Sequence, residues 1–148
     1  GTSDQAMTRG TRGFPAPALD RIARACFVTV SMRNERDAVV WLELAHWRFY
    51  DARGRELQRI ARRDWNVLWE KIRLPAASRS TFGWTLLPET RDLQPREPVG
   101  GNVTLARPAT PFTLEARFHT GPDKRGQVLT VRVPGLSCPR HDVGEASP

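Results

Sequence analysis

At 148 residues, 39% hydrophobic and 26% charged, the chain has the size and apolar content of one folded domain, which excludes a wholly disordered protein. No apolar run approaches the roughly 20 residues of a membrane-spanning helix. The net charge of +7 is carried almost wholly by arginine, with lysine only at Lys71 and Lys124; an anion-binding face and a GC-rich coding bias both account for it.

Residues 1–17, with Gly10, Gly13, Pro15 and Pro17 and little periodicity, read as a flexible arm. Gly1-Thr2-Ser3 reads as a cloning remnant, and the start lacks the charged-then-apolar pattern of a secretory leader, so a removed leader or lipid anchor stays open. A short helical turn is compatible with Asp20 to Ala25. From Cys26 the pattern turns to period two: Cys26, Val28, Val30 and Met32 fall on one face, Phe27, Thr29 and Ser31 on the other. Arg33 to Asp37 is a polar turn. Ala38 to Tyr50 is long for one strand and would put Glu43 beside Trp41, Trp47 and Phe49, which predicts a bulge or break near Leu44 to His46. Asp51-Ala52-Arg53-Gly54 is a turn that returns the chain through Arg55 to Ile60.

Trp65, Leu68, Trp69 and Ile72 recur at helical spacing behind Asp64 as N-cap, predicting one short amphipathic helix at about 64–72, closed by Pro75 and packed on an end or edge of a sheet. Alternation resumes with Phe82, Trp84 and Leu86 opposite Thr81, Gly83 and Thr85, which predicts a strand. A connection rich in proline and charge runs from Pro88 to Gly101, then Val103 and Leu105 make a short strand. Leu114, Ala116 and Phe118, the loop His119 to Gly126, and Leu129, Val131 and Val133 form the clearest hairpin. Residues 139–148 read as a flexible tail, leaving 18–138 as the folded domain. The expected class is all-β: an antiparallel β-sandwich of immunoglobulin-like or fibronectin-like architecture with one short helix, a small barrel being the other closure.

The two cysteines, Cys26 and Cys138, open the first firm strand and follow the last. A disulfide between them would staple the two ends and put the protein outside the reducing cytosol; the alternative is two unrelated thiols. Neither their spacing nor that of His46, His119 and His141 is a zinc-ligand pattern, and no nucleophile elbow, P-loop or dinucleotide-binding turn occurs. The reading is therefore a protein with no cofactor and no catalytic role. Arg53, Arg55, Arg59, Arg62 and Arg63 form the sharpest charge cluster; on an exposed strand they would align as a polyanion or partner contact, or blunt a sheet edge. Of the five tryptophans, Trp41, Trp47 and Trp84 take inward strand positions and Trp65 and Trp69 the helix stripe, so core packing competes with a stacking platform. Asn102-Val103-Thr104 matches a glycosylation sequon.

Together these features point to a non-catalytic binding or assembly module of a cell-envelope or secreted complex, periplasmic or at the cell surface. Its partner would be a protein, or an acidic polymer, met through loops and the arginine face. An intracellular module binding nucleic acid or another polyanion is the alternative, and a carbohydrate-binding accessory domain the third reading.

Overall fold

The structure is a computed structural model and describes residues 13–139. Two antiparallel sheets dominate it. The smaller is built from β1 (Ala25–Arg33), β7 (Pro98–Ala106) and β5 (Arg59–Ile60), in the order β1-β7-β5. The larger, a curled six-stranded sheet, runs β4 (Glu56–Leu57), β3 (Trp47–Tyr50), β8 (Phe112–Thr120), β2 (Val40–Glu43), β6 (Thr90–Leu93), with β9 (Leu129–Leu136) along the other side of β8. Three helices join them: α1 (Ala16–Ala23), α2 (Arg62–Lys71) and α3 (Ala76–Gly83).

The period-two residues of β1 separate two cores. Cys26, with Val28, Val30 and Met32, joins Leu42, Leu44, Trp47, Phe49, Leu93, Val103, Leu105 and Phe118 between the sheets. Ala25 and Phe27 face the other way, onto Phe14, Ile22, Trp65, Trp69, Phe82 and Leu86. The three helices therefore cover the outer face of the small sheet at its Ala25 and Phe27 end, while Thr29 and Ser31, farther along the same face of β1, stay exposed. The expectation that the Trp65/Trp69 helix meets a sheet end or edge is corrected: it lies on a face. Each sheet face and helix stripe needs an apolar partner, and the helices supply one where a second sheet does not.

The second core is aromatic. Phe82 sits 5.0 Å from Trp65 and 5.1 Å from Trp69, ring centre to ring centre, and Phe27 lies 5.9 Å from Trp65. Trp65 also donates its indole N–H to the Thr104 hydroxyl at 2.9 Å, and that hydroxyl donates to the Ile60 carbonyl at 2.7 Å. A buried indole thus keeps its hydrogen bond while its ring fills the gap between helix and sheet.

Several expectations change. Three helices stand where one was expected. Asp64 is not the N-cap of α2; it lies three residues inside and accepts the Ala61 N–H at 2.8 Å. The helix ends in a left-handed Arg73, with Leu74 N–H reaching the Trp69 carbonyl at 2.9 Å, and Pro75 then starts the next helix. The strand predicted through Phe82, Trp84 and Leu86 is instead the end of α3 and a turn. Ala76 to Ser80 favour a helix once Pro75 has set its start, and burying Phe82 in the aromatic core overrides the short alternation. The Pro88 to Gly101 connection contains β6 and the first part of β7. Within the segment read as an arm, Phe14 is buried and Ala16 and Pro17 open α1; residues 1–12 and 140–148 lie outside the described residues. None of the described helices is long and apolar enough to cross a membrane.

Cys26 and Cys138 form the expected disulfide, their Cα atoms 5.3 Å apart across 112 positions. The predicted break at Leu44–His46 is one turn of 3-10 helix separating β2 from β3.

Candidate functional site

A cavity of about 730 Å³, open to solvent, forms a groove between the two helices α2 and α3 and the strands β6 and β7. Its walls include Arg62 and Asn66 from α2, Arg79 and Ser80 from α3, Trp84 and Leu86 just beyond, Arg91 from β6, and the start of β7. Trp84 stands on this groove 85% exposed. Expected to face inward, it does the opposite: α3 spends its apolar direction on Phe82, and two residues later the chain is turning, with Trp84 N–H on the Ser80 carbonyl and Thr85 N–H on the Phe82 carbonyl.

Arg62 holds that platform in place. Its guanidinium donates to the Gly83 carbonyl at 3.1 Å and the Leu86 carbonyl at 3.3 Å, so a cation sits at the negative, C-terminal end of the α3 dipole and shares the Gly83 carbonyl with the Leu86 N–H. Gly83 leaves room for this approach, since a Cβ there would lie 3.1 Å from the Arg62 Nη1 and the guanidinium would have to shift by a few tenths of an ångström. Arg79 is only loosely held, 3.4 Å from the Asn66 carbonyl and 3.9 Å from Glu70. Arg91 pairs with Glu97. The described residues lining the groove include three arginines and no carboxylate. Such a wall attracts anions, and an exposed indole beside it offers a flat apolar contact.

The arginines singled out from sequence do not form one row. Arg55 to Ile60 is not a continuous strand: β4 pairs with β3 in the large sheet and β5 with β7 in the small one, so the chain changes sheet at Gln58. Arg53 and Arg55 belong to the turn on Asp51; the Arg55 side chain binds that carboxylate at 3.0 Å, and the Arg55 N–H foremost, with that of Arg53, holds Asp51 below its ordinary range. Arg59 makes two 2.9 Å hydrogen bonds to Glu89, whose carboxylate also accepts the Arg62 N–H at 3.1 Å. Arg63 is exposed on α2. Of the five, the groove takes only Arg62; Arg79 and Arg91, not singled out before, supply the rest of its charge.

A second constellation lies on the outer face of the large sheet. β2 and β8 pair so that Trp41 stands opposite His119, and Glu43 follows Trp41 on the same side. The 3-10 turn after Glu43 repeats every three residues, which brings His46 back to the side of Glu43. Glu43 Oε1 is 3.6 Å from His119 Nδ1 and 3.9 Å from His46 Nδ1, and the two imidazoles meet edge to face at 5.2 Å. Lys124, from the β8–β9 turn, reaches Glu43 Oε2 at 3.1 Å and lies 5.1 Å above the Trp41 ring. The Trp41 indole donates to the Gly121 carbonyl at 2.9 Å, tying that turn down. Among the described residues, Glu43, His46 and His119 are the group whose ligand atoms lie close enough together to hold a metal ion. The sequence signal was Glu43-Leu44-Ala45-His46, a carboxylate and an imidazole three apart across a predicted strand break.

Trp47, Trp65 and Trp69 are buried, as core packing requires. Asn102 is also buried, accepting the Thr29 hydroxyl at 2.9 Å inside β7, so the sequon offers no room for a glycan. No protein-family model, curated protein or solved structure matches the chain.

Proposed function

We propose that this chain is a non-catalytic binding module of an oxidising compartment, a periplasm or a cell surface, that grips an acidic segment of a protein partner in the groove around Trp84. The observation that carries the reading is an 85% exposed tryptophan on a groove walled by Arg62, Arg79 and Arg91. Exposing a large indole to water is unfavourable in the free protein, and tryptophan and arginine are the residues that most often dominate partner binding. The Cys26–Cys138 bridge supports the compartment, because structural disulfides persist where thiols are not kept reduced. In this reading the two sheets act as a sandwich scaffold; the likeness to immunoglobulin-like and fibronectin-like domains is one of layering, not strand order.

The test is a titration followed by tryptophan emission, with poly-L-glutamate as probe and heparin and a neutral chito-oligosaccharide as comparators. Poly-L-glutamate should bind with an affinity that falls steeply with salt. Trp84→Ala should weaken it about 30-fold, equivalent to roughly 2 kcal/mol, and Arg79→Ala about tenfold. Preference for heparin would replace the protein partner by an acidic polymer. A salt-independent response to the neutral sugar would overturn the charge argument, and no response to any probe would overturn the groove.

A further inference from the structure

The geometry points to a binding site for a divalent first-row transition ion, Zn²⁺ in the first instance, formed by Glu43, His46 and His119. Glu43 Oε1, His46 Nδ1 and His119 Nδ1 are all buried from solvent, and none has a hydrogen-bond partner. Leaving a buried polar atom without a hydrogen bond is unfavourable, yet here three such atoms converge at one spot. A ligand atom of each residue lies within 4.8 Å of those of the other two. Two ligands of one tetrahedral Zn²⁺, each about 2.0–2.1 Å from the metal, stand about 3.4 Å apart. The 3.6 and 3.9 Å separations from Glu43 Oε1 are therefore close to what an ion requires.

The donor set selects the ion. Two imidazoles and one carboxylate oxygen suit zinc, copper or nickel and disfavour Ca²⁺ and Mg²⁺, which take oxygen ligands. Lys124 binds Glu43 Oε2 and so turns Oε1 towards the imidazoles as a single donor. Three protein ligands leave the fourth tetrahedral position free. The His46 and His119 side chains are 38% and 29% exposed, so the cluster lies near enough to the surface for an ion and a water to reach it. The ligands come from β2, the 3-10 turn and β8, a rigid part of the large sheet whose register sets their spacing.

The experiment uses the full chain, freed of any affinity tag and treated with chelator, titrated with ZnCl₂ by calorimetry and checked by equilibrium dialysis. One ion per chain should bind. His46→Gln and His119→Gln should each weaken binding by about tenfold or more, their combination should abolish it, and His141→Gln should leave it unchanged. Co²⁺ in place of Zn²⁺ should give the intense visible bands of a tetrahedral site, lost in the same variants. Should His119→Gln misfold by circular dichroism, His46→Gln, in the half-exposed turn, carries the result. No stoichiometric uptake, or uptake that survives in a folded His46→Gln/His119→Gln protein, overturns the site and leaves the cluster an electrostatic network alone.

Discussion

Glu89 joins two elements that the sequence does not associate, and removing its charge should be felt throughout the domain. Its carboxylate accepts two hydrogen bonds from Arg59 of β5 and one from the first N–H of α2. Arg59 is only 16% exposed and Glu89 33%. In Glu89→Gln the amide nitrogen would face the guanidinium donors, leaving a half-buried cation without its counter-ion. A hydrogen bond to a charged group contributes about 1.5–3 kcal/mol. Because a third of the Glu89 side chain meets water, the lower part of that range applies, and we expect about 2 kcal/mol. For a domain of this size that corresponds to a melting temperature about 4–8 °C lower.

The penalty should depend on pH in one direction. Burial pushes the Glu89 carboxyl up, but the hydrogen bonds from Arg59 and the Arg62 N–H, with the charges of both arginines, together hold it below its ordinary value of 4.5. With the folded value lower than the unfolded one, the stabilisation is complete above 4.5 and is lost as pH falls through the folded value. Urea and thermal melts of wild type and Glu89→Gln should therefore differ most near neutrality and converge in acid. In the double variant with Arg59→Met the two losses should be less than additive. A neutral-pH difference below about 0.5 kcal/mol, or one that persists unchanged in acid, would refute the argument.

Two further outcomes follow from the packing. Cys138→Ser, or full reduction, should lower stability by roughly 4–5 kcal/mol in the loop-entropy account, because the bridge spans 112 positions; denaturant melts with and without reductant measure it, and an unchanged midpoint would contradict a stabilising bridge. Gly101→Ala should cost about 1–3 kcal/mol, since a Cβ there would lie 2.6 Å from the Leu87 nitrogen, where β7 runs against the segment after α3; a neutral result in chemical denaturation would mean that the two segments separate freely.

Elements whose residues follow one period over several positions were legible in the chain. Cys26 to Met32 and Leu114 to Phe118 alternate because one side meets a core, and Trp65, Leu68, Trp69 and Ile72 repeat at helical spacing for the same reason. The segment from Phe82 to Leu86 misled because three alternating apolar residues fit a strand as well as the end of a helix. Which one forms depends on where Phe82 is buried, and that is a property of Trp65, Trp69 and Phe27, up to 55 positions away.

The candidate sites were less legible still. Arg59 and Arg62 looked free because their partners, Glu89 and the carbonyls of Gly83 and Leu86, lie more than 20 positions downstream. Trp84 looked buried because its neighbours suggested a strand. Of Glu43, His46 and His119, only the first two are linked by a spacing in the chain, since they meet the third through the antiparallel register of β2 on β8.

By itself the sequence determined a β-rich antiparallel domain, the faces of its regular strands, its α2 helix and the one cysteine pair that a bridge could join. All of these are set by short-range periodicity or by there being only one possible cysteine pair. Tertiary structure alone decided which sheet each short strand joined, that helices would cover one sheet face, that Trp84 would stand in water and that two histidines would face one carboxylate. Those outcomes depend on register, on a single 3-10 turn and on competition for core space among distant aromatic rings, none of which is encoded within any one stretch of residues.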